Sequence, residues 1–211
     1  MSLFNSKSST QIEELQTRLR IVEERSQLLD EACGVGLWEA ILHEKDAMHP
    51  KSIWTWSAEF RRMIGFDNAK DFPNKVTSWT DRLHPDDIEA TFAAFGKHLE
   101  DRTGQVRYNI TYRLRMRDES YRWFRATGGC IHQPDGTVRA CGSLTDVHEQ
   151  IILQEKTAAK AAADKIAIEA LGNGLAAIAD GDLTHQITVQ FPPDSQTLKD
   201  NFNQAVEKLH E

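Results

Sequence analysis

Asp86 and Asp87 are the nearest thing in this sequence to a catalytic acid pair. Adjacent carboxylates can divide acid and base duties between them. These two follow His84-Pro85 at the start of a helical pattern, where proline is tolerated and the helix dipole favours negative charge. They read as capping charges. The eight histidines are scattered, and none stands at ligand spacing from a cysteine or carboxylate, so no metal site is expected. Gly128-Gly129 lacks the Lys-Ser/Thr of a phosphate loop and reads as a bulge or close packing inside a strand. There is no Gly-x-Ser-x-Gly elbow and no kinase signature set. Cys33, Cys130 and Cys141 are odd in number and unpaired in spacing, which fits a reducing compartment. No catalytic activity is expected. One more carboxylate stands out. Asp146 lies where the last strand turns into a helix, and it can cap that helix or pair with an arginine such as Arg113 or Arg125. As a latch it would couple strand position to helix orientation; as a cap it would only end the helix.

The elements that position these groups follow from composition and period. The chain has 211 residues, 40% hydrophobic and 27% charged, with a net charge of −7. That suits a soluble domain with helical extensions and argues against nucleic acid or an anionic membrane as main partner. The most apolar stretch, 166–179, is too short to span a bilayer and is interrupted by Glu169, Gly172, Asn173 and Gly174. Residues 1–11 are polar and do not form a signal peptide. A cytoplasmic location is expected.

Ile12, Leu15, Leu19, Val22 and Leu29 recur at three-four spacing among Glu, Gln and Arg, a narrow seam suited to pairing with a second copy. The alternative is an amphipathic helix folded onto its own domain. Residues 1–10 are Ser-rich and expected to be loose. Strands are read at 35–43 and 52–56, with a short helix from Ser57 stopped by Gly65. A longer helix is read from Pro85 to about Asp101, with Ile88, Phe92, Phe95 and Leu99 on its buried face. Alternation over 106–117 marks the clearest strand. Strands at 121–132 and 138–147 complete a meander. Helix resumes after Val147, and Leu171, Leu175 and Ile178 continue the spacing until Gly181-Asp182. A last helix carries Leu198, Phe202 and Leu209. The fold class is α+β.

Several motifs occur in order: Gly36-Leu37-Trp38, Trp56-Ser57, Ile64-Gly65-Phe66, Leu83-His84-Pro85-Asp86-Asp87, Tyr112-Arg113-Leu114-Arg115, Tyr121-Arg122-Trp123, Asp135-Gly136 and Gly142-Ser143-Leu144-Thr145-Asp146-Val147. Their order and spacing resemble a PAS domain of the subgroup with a Leu-His-Pro-Asp-Asp helix start. The stretch Ile178-Ala179-Asp180-Gly181-Asp182-Leu183-Thr184, with Leu198, Phe202-Asn203 and Leu209, resembles the HAMP-type relay of methyl-accepting chemotaxis proteins; a generic dimerising αα-hairpin is the alternative. The chain departs in places: Asp146-Val147-His148 stands for Asp-Ile-Thr, Asp118-Glu119 for Asp-Gly, and a PAS domain stands where a membrane helix is usual.

The resemblance implies a five-stranded antiparallel sheet with short helices, flanked by coiled-coil-type helices. It divides the chain into a dimerisation helix (1–33), a PAS sensor (34–147), a helical linker (148–167) and a relay (168–211). It implies a pocket between sheet and small helices, with Trp54, Trp56, Phe60, Met63, Phe92, His98, Tyr112 and Trp123 as candidate lining; the same aromatics also suit a plain core. Haem would need an axial ligand, for which His98 is the best candidate. A non-covalent flavin is equally open, and neither is favoured over an empty pocket. A flavin adduct class is not expected, since no Asn-Cys-Arg-Phe run is present. Thr145, Asp146, Arg113, Gly181 and Asp182 are the candidate relay residues. The implied function is sensory input and relay in a soluble chemoreceptor that acts as a homodimer. Its output would reach a chemotaxis histidine kinase and coupling protein through a signalling hairpin outside these residues. The alternatives are an input module for a sensor kinase or cyclic-dinucleotide enzyme, and a ligand-free dimerisation module.

Overall fold

The computed structural model describes residues 2–210, with side chains from 11 onward except 29–31. It divides into two compact units, 1–148 and 149–211.

In the first unit, α1 (Ser2–Cys33) is one uninterrupted helix. The expected loose segment is helical from Ser2, and no proline or glycine precedes Gly34 to interrupt it. Gly34 (φ 61°) ends the helix in left-handed backbone. Then come β1 (Gly36–Leu42), β2 (Ile53–Trp56), α2 (Ala58–Met63), α3 (Val76–Thr80), a 3₁₀ turn at Pro85–Asp87, α4 (Ile88–Glu100), β3 (Tyr108–Arg115), β4 (Tyr121–His132) and β5 (Val138–Asp146). The sheet is antiparallel, in the order β2-β1-β5-β4-β3. Strands β3, β4 and β5 form the expected meander. The free edge of β3 is partly covered by 82–84: Arg115 N donates to Arg82 O and His84 N donates to Arg113 O.

Period two sorts the sheet residues between faces. Trp38, Ala40 and Leu42, Tyr108, Tyr112 and Leu114, Phe124 and Ala126, and Val138, Ala140 and Leu144 face one core with α2, α3 and α4. Ser57 fastens α2 to β1, since its Oγ accepts from Phe60 N at 3.1 Å and from Leu37 N at 2.9 Å. The buried stripe of α4 is Thr91, Phe95, His98 and Leu99, while Ile88 is exposed and Phe92 half-buried. The expected face is rotated because two polar residues are satisfied inside: Thr91 Oγ1 donates to Asp87 O at 2.7 Å, and His98 Nδ1 meets Val106 O at 2.6 Å.

Helix α5 (His148–Ala179) begins at the last residue of the first unit and continues into the second, where a connector, a 3₁₀ turn at Pro193–Ser195 and α6 (Gln196–His210) follow. Ala167, Ile187, Phe191, Phe202 and Val206 form the core of the second unit, with Ala170, Leu171 and Ile178 at the margin. Among the described residues, no helix is long and apolar enough to cross a membrane.

Candidate functional site

The face between sheet and small helices is filled by aromatic rings. Trp54 stacks on Trp56 at 5.3 Å and on Trp79 at 6.1 Å, and Trp56 meets Phe60 at 4.6 Å. Trp79 Nε1 donates to Tyr112 Oη at 3.1 Å. Burial pushes the phenols of Tyr108 and Tyr112 well above the ordinary tyrosine range. The cavity left among Trp38, Trp54, Trp56, Phe60, Trp79, Phe95, Tyr108 and Tyr112 is about 10 Å³. That is space for about one water at most. Of the expected lining, Trp54, Trp56, Phe60 and Tyr112 do come together there, and Met63 and Phe92 pack half-buried against the same core. Trp38, Trp79, Phe95 and Tyr108 complete the lining, although the sequence reading does not single them out for it. For Trp38 a signal exists, in its alternation with Ala40 and Leu42.

Trp123 does not line this cavity. Phe124 and Ala126 take the inward positions of β4, so period two turns Trp123 to the other face. There the Arg113 guanidinium lies 4.9 Å from its ring centroid.

His98 is buried, with 5% of its surface exposed. Its Nδ1 faces the Val106 carbonyl, which can only accept, and its Nε2 has no hydrogen-bond partner among the described residues. His98, expected in the pocket, is not among the residues that line the aromatic cavity, and that cavity is too small for a macrocycle in this packing.

Gly128 and Gly142 sit opposite each other on β4 and β5. An added Cβ on Gly128 would lie 2.5 Å from Trp38 Cζ2; on Gly142 it would lie 2.6 Å from that atom and 1.8 Å from Thr127 O. The glycines provide the flat floor on which the Trp38 indole rests. The close-packing reading of Gly128 therefore holds.

At the exit from the sheet, Asp146 does both things the sequence left open. Its Oδ1 accepts from His148 N at 2.9 Å, at the start of α5, and its Oδ2 accepts from Arg122 Nε at 2.9 Å. The arginine is Arg122, neither Arg113 nor Arg125. Phe124 is the register partner of Asp146, which brings Arg122, two residues earlier on the same strand, within reach. Val147 N also donates to Trp123 O at 3.0 Å. Thr145 is half-buried on β5, opposite Arg125. Arg113 is committed elsewhere. Its Nε and N donate to Asp87 Oδ2 at 2.9 and 2.8 Å, its Nη2 to Asp87 Oδ1 at 2.8 Å, and Nη2 lies 3.3 Å from Asp86 Oδ2. The Arg113 hydrogen bonds hold the Asp87 carboxyl below the usual range. Asp87 thus ties the α4 start to β3, and Arg113 is paired with it rather than with Asp146.

In the second unit, Gly181 (φ 86°) turns the chain beyond α5, and Asp182 Oδ1 accepts from Thr184 N and Oγ1 at 2.9 and 2.7 Å. Those bonds hold the Asp182 carboxyl below the usual range. Asn203 brackets the connector: its Oδ1 accepts from Ile187 N at 2.8 Å, and its Nδ2 donates to Ile187 O at 3.0 Å. Phe202 packs against Gly174, where an added Cβ would lie 2.5 Å from the ring. Phe202, expected on the pairing seam, is therefore in the core of its own chain, and Leu171 and Ile178 are half-buried beside it. Leu175, Leu198 and Leu209 are each more than half exposed, as are Ile12, Leu15, Leu19 and Val22 on α1. The Leu29 side chain lies outside the described residues.

The histidines are not all scattered. His43, Glu44 and His49 come together at the β1–β2 connection.

Residues 53–143 match the family model for the PAS fold. A sensory box histidine kinase/response regulator from Burkholderia thailandensis has a solved structure that superposes with a TM-score of 0.50 and 26% identity, over 67% of this chain and 97% of that one. The five-stranded domain has the PAS fold. An uncharacterized protein of Pseudomonas chlororaphis is 29% identical over 160 residues, which is 74% of this chain and 60% of that protein. The chemoreceptor McpA of Caulobacter vibrioides is 44% identical over 46 residues, 22% of this chain and 7% of that protein. The chain thus spans about three fifths of the one relative and a small part of the other. Proteins with which the chain shares this fold or a stretch of sequence include a sensory box histidine kinase/response regulator and a chemoreceptor.

Proposed function

We propose that this chain is the sensory input and relay module of a chemoreceptor, working in the cytoplasm as a parallel homodimer and without catalysis of its own. The observation that carries the reading is the junction at Asp146. One carboxylate holds both a residue of β4 and the first turn of α5, so a small shift of the sheet is felt at the start of a 32-residue helix. The exposed leucines of α1, α5 and α6 are the surfaces offered to a second copy. In this reading 148–167 is linker and 168–211 is a HAMP-type relay. Gly181, Asp182 and Asn203 hold its connector. The chemoreceptor assignment draws support from the similarity to McpA and the Gly181-Asp182-Leu183 and Phe202-Asn203 motifs. Output would pass to a histidine kinase and coupling protein through a signalling hairpin.

Sedimentation of the 211-residue chain tests the pairing. A dimer is expected, and Leu15→Glu with Leu175→Glu shifts it to monomer; a strict monomer for the wild type refutes the relay. The coding sequence beyond residue 211 separates the chemoreceptor from an input module for an enzyme. A heptad-rich Ala/Glu/Gln hairpin is expected, and a nucleotide-binding motif there overturns the assignment.

The 10 Å³ cavity favours a second reading, in which the PAS core is a ligand-free pairing module. An absorbance scan of fresh protein and mass spectrometry of its denatured supernatant decide between them. A stoichiometric small molecule sinks the second reading.

A further inference from the structure

Among the described residues, one cluster of side chains outside the aromatic core has the composition of a ligand set. β1 ends at Leu42, and the chain reverses over His43–Asp46, with Asp46 N donating to His43 O at 3.0 Å. A two-residue reversal with left-handed backbone at both central positions is adopted most easily by Asn-Gly or Asp-Gly. Here Glu44 (φ 53°) and Lys45 (φ 60°) occupy it. The chain tolerates local strain in a place that keeps a carboxylate at 44.

A second tight loop follows. Ser52 Oγ donates to Asp46 O at 2.7 Å and accepts from His43 N at 2.9 Å, and Ser52 N donates to His49 O at 2.9 Å. Trp54 Nε1 donates to Ala47 O at 3.0 Å, which fastens the loop to the core. The two histidine rings are thereby held with centroids 4.4 Å apart. His43 Nε2 lies 3.7 Å from Glu44 Oε1, too far for a hydrogen bond. The ligand-capable atoms of His43, Glu44 and His49 all lie within 4.8 Å of one another.

We propose that His43, Glu44 and His49 bind one divalent transition-metal ion of the zinc type. Two imidazoles and a carboxylate suit zinc and its neighbours, whereas magnesium and calcium require oxygen ligands throughout. A tetrahedral ion with bonds of about 2.1 Å holds its ligand atoms about 3.4 Å apart. The cluster must therefore close by up to about 1.4 Å, which the exposed Glu44 side chain and ring rotations supply. The fourth position is left to water. His49 Nδ1 accepts the Lys51 N–H at 3.1 Å, which places the neutral ring's proton on Nε2. The ion either takes Nδ1 directly or takes Nε2 after the proton moves to Nδ1. Both routes deprive the Lys51 amide of its acceptor.

That consequence gives a specific test on the full chain. In equilibrium dialysis with ZnCl₂, the wild type retains one zinc per chain. His43→Gln and His49→Gln each weaken binding by about 10–100-fold or more, the loss of a ligand costing at least as much as the loss of its supporting partner. His132→Gln leaves it unchanged. The Lys51 amide resonance moves on zinc addition in the wild type and stays still in His49→Gln. Tryptophan fluorescence checks that each variant is folded. Failure of the wild type to retain zinc, equal retention by His43→Gln, or a Lys51 amide that does not respond overturns the proposal.

Discussion

Among the described residues, the core of the first unit holds twenty-one buried hydrophobic residues, four of them tryptophans, whereas that of the second holds five. The sheet unit sends its apolar side chains inward at every second position. The helical unit buries Phe202 and Val206 and leaves Leu175, Leu198 and Leu209 in water. A helical pair this small cannot bury both of its apolar faces by itself. The part of the first unit from β1 to β5 is well packed, whereas α1 and the helical unit both leave large apolar side chains exposed.

The largest effect should come from the sheet unit. Phe124 is fully buried, and Phe124→Ala is expected to cost about 3–5 kcal/mol. Urea unfolding followed by tryptophan fluorescence measures it, because all five tryptophans lie between residues 38 and 123. Phe202→Ala should cost about 3 kcal/mol in the helical unit alone, at the low end because its surroundings can partly collapse. Helical circular dichroism should fall on milder heating while tryptophan fluorescence keeps its wild-type transition. If both signals shifted together, the units would not be energetically separate.

Asp87→Asn should cost about 1–3 kcal/mol, since it leaves the Arg113 guanidinium poorly paired. The pH dependence follows from the direction of the shift. Asp87 has a lower pKa in the folded state than the ordinary 3.8, so its contribution is present above 3.8 and is lost as pH falls through the folded value. Acid titration of wild type and variant should converge at low pH. A gap that persists there would mean that the carboxylate's charge is not what stabilises. The smallest effect is at the junction. Asp146→Ala removes a cap worth about 1 kcal/mol. Thermal melting should show the modest loss, and hydrogen exchange should rise in the first turn of α5 and along β4 near Arg122. A rise confined to α5 would reduce Asp146 to a simple cap.

Much of the fold can be read along the chain. The alternation over 106–117 locates β3, the turn at Asp135-Gly136 locates the β4–β5 hairpin, and His84-Pro85-Asp86-Asp87 locates the start of α4. The face of α4 cannot be read so simply. His98 looks polar in sequence, yet a carbonyl from Val106 lets it be buried. Trp123 looks like a pocket residue because one strand contains Trp123 and Phe124 side by side, and only the register with β3 and β5 decides which of them faces in.

Periodicities, turn positions and the resemblance to a PAS domain are all legible without coordinates, because they rest on backbone preferences and on residues close in the chain. Folding settles the rest: which arginine meets Asp146, that Asp87 and not Asp146 holds Arg113, and that Gly128 and Gly142 make room for Trp38. It also brings His43 and His49 ring to ring. Each of these depends on strand register or loop closure, and the spacing of the residues concerned encodes neither.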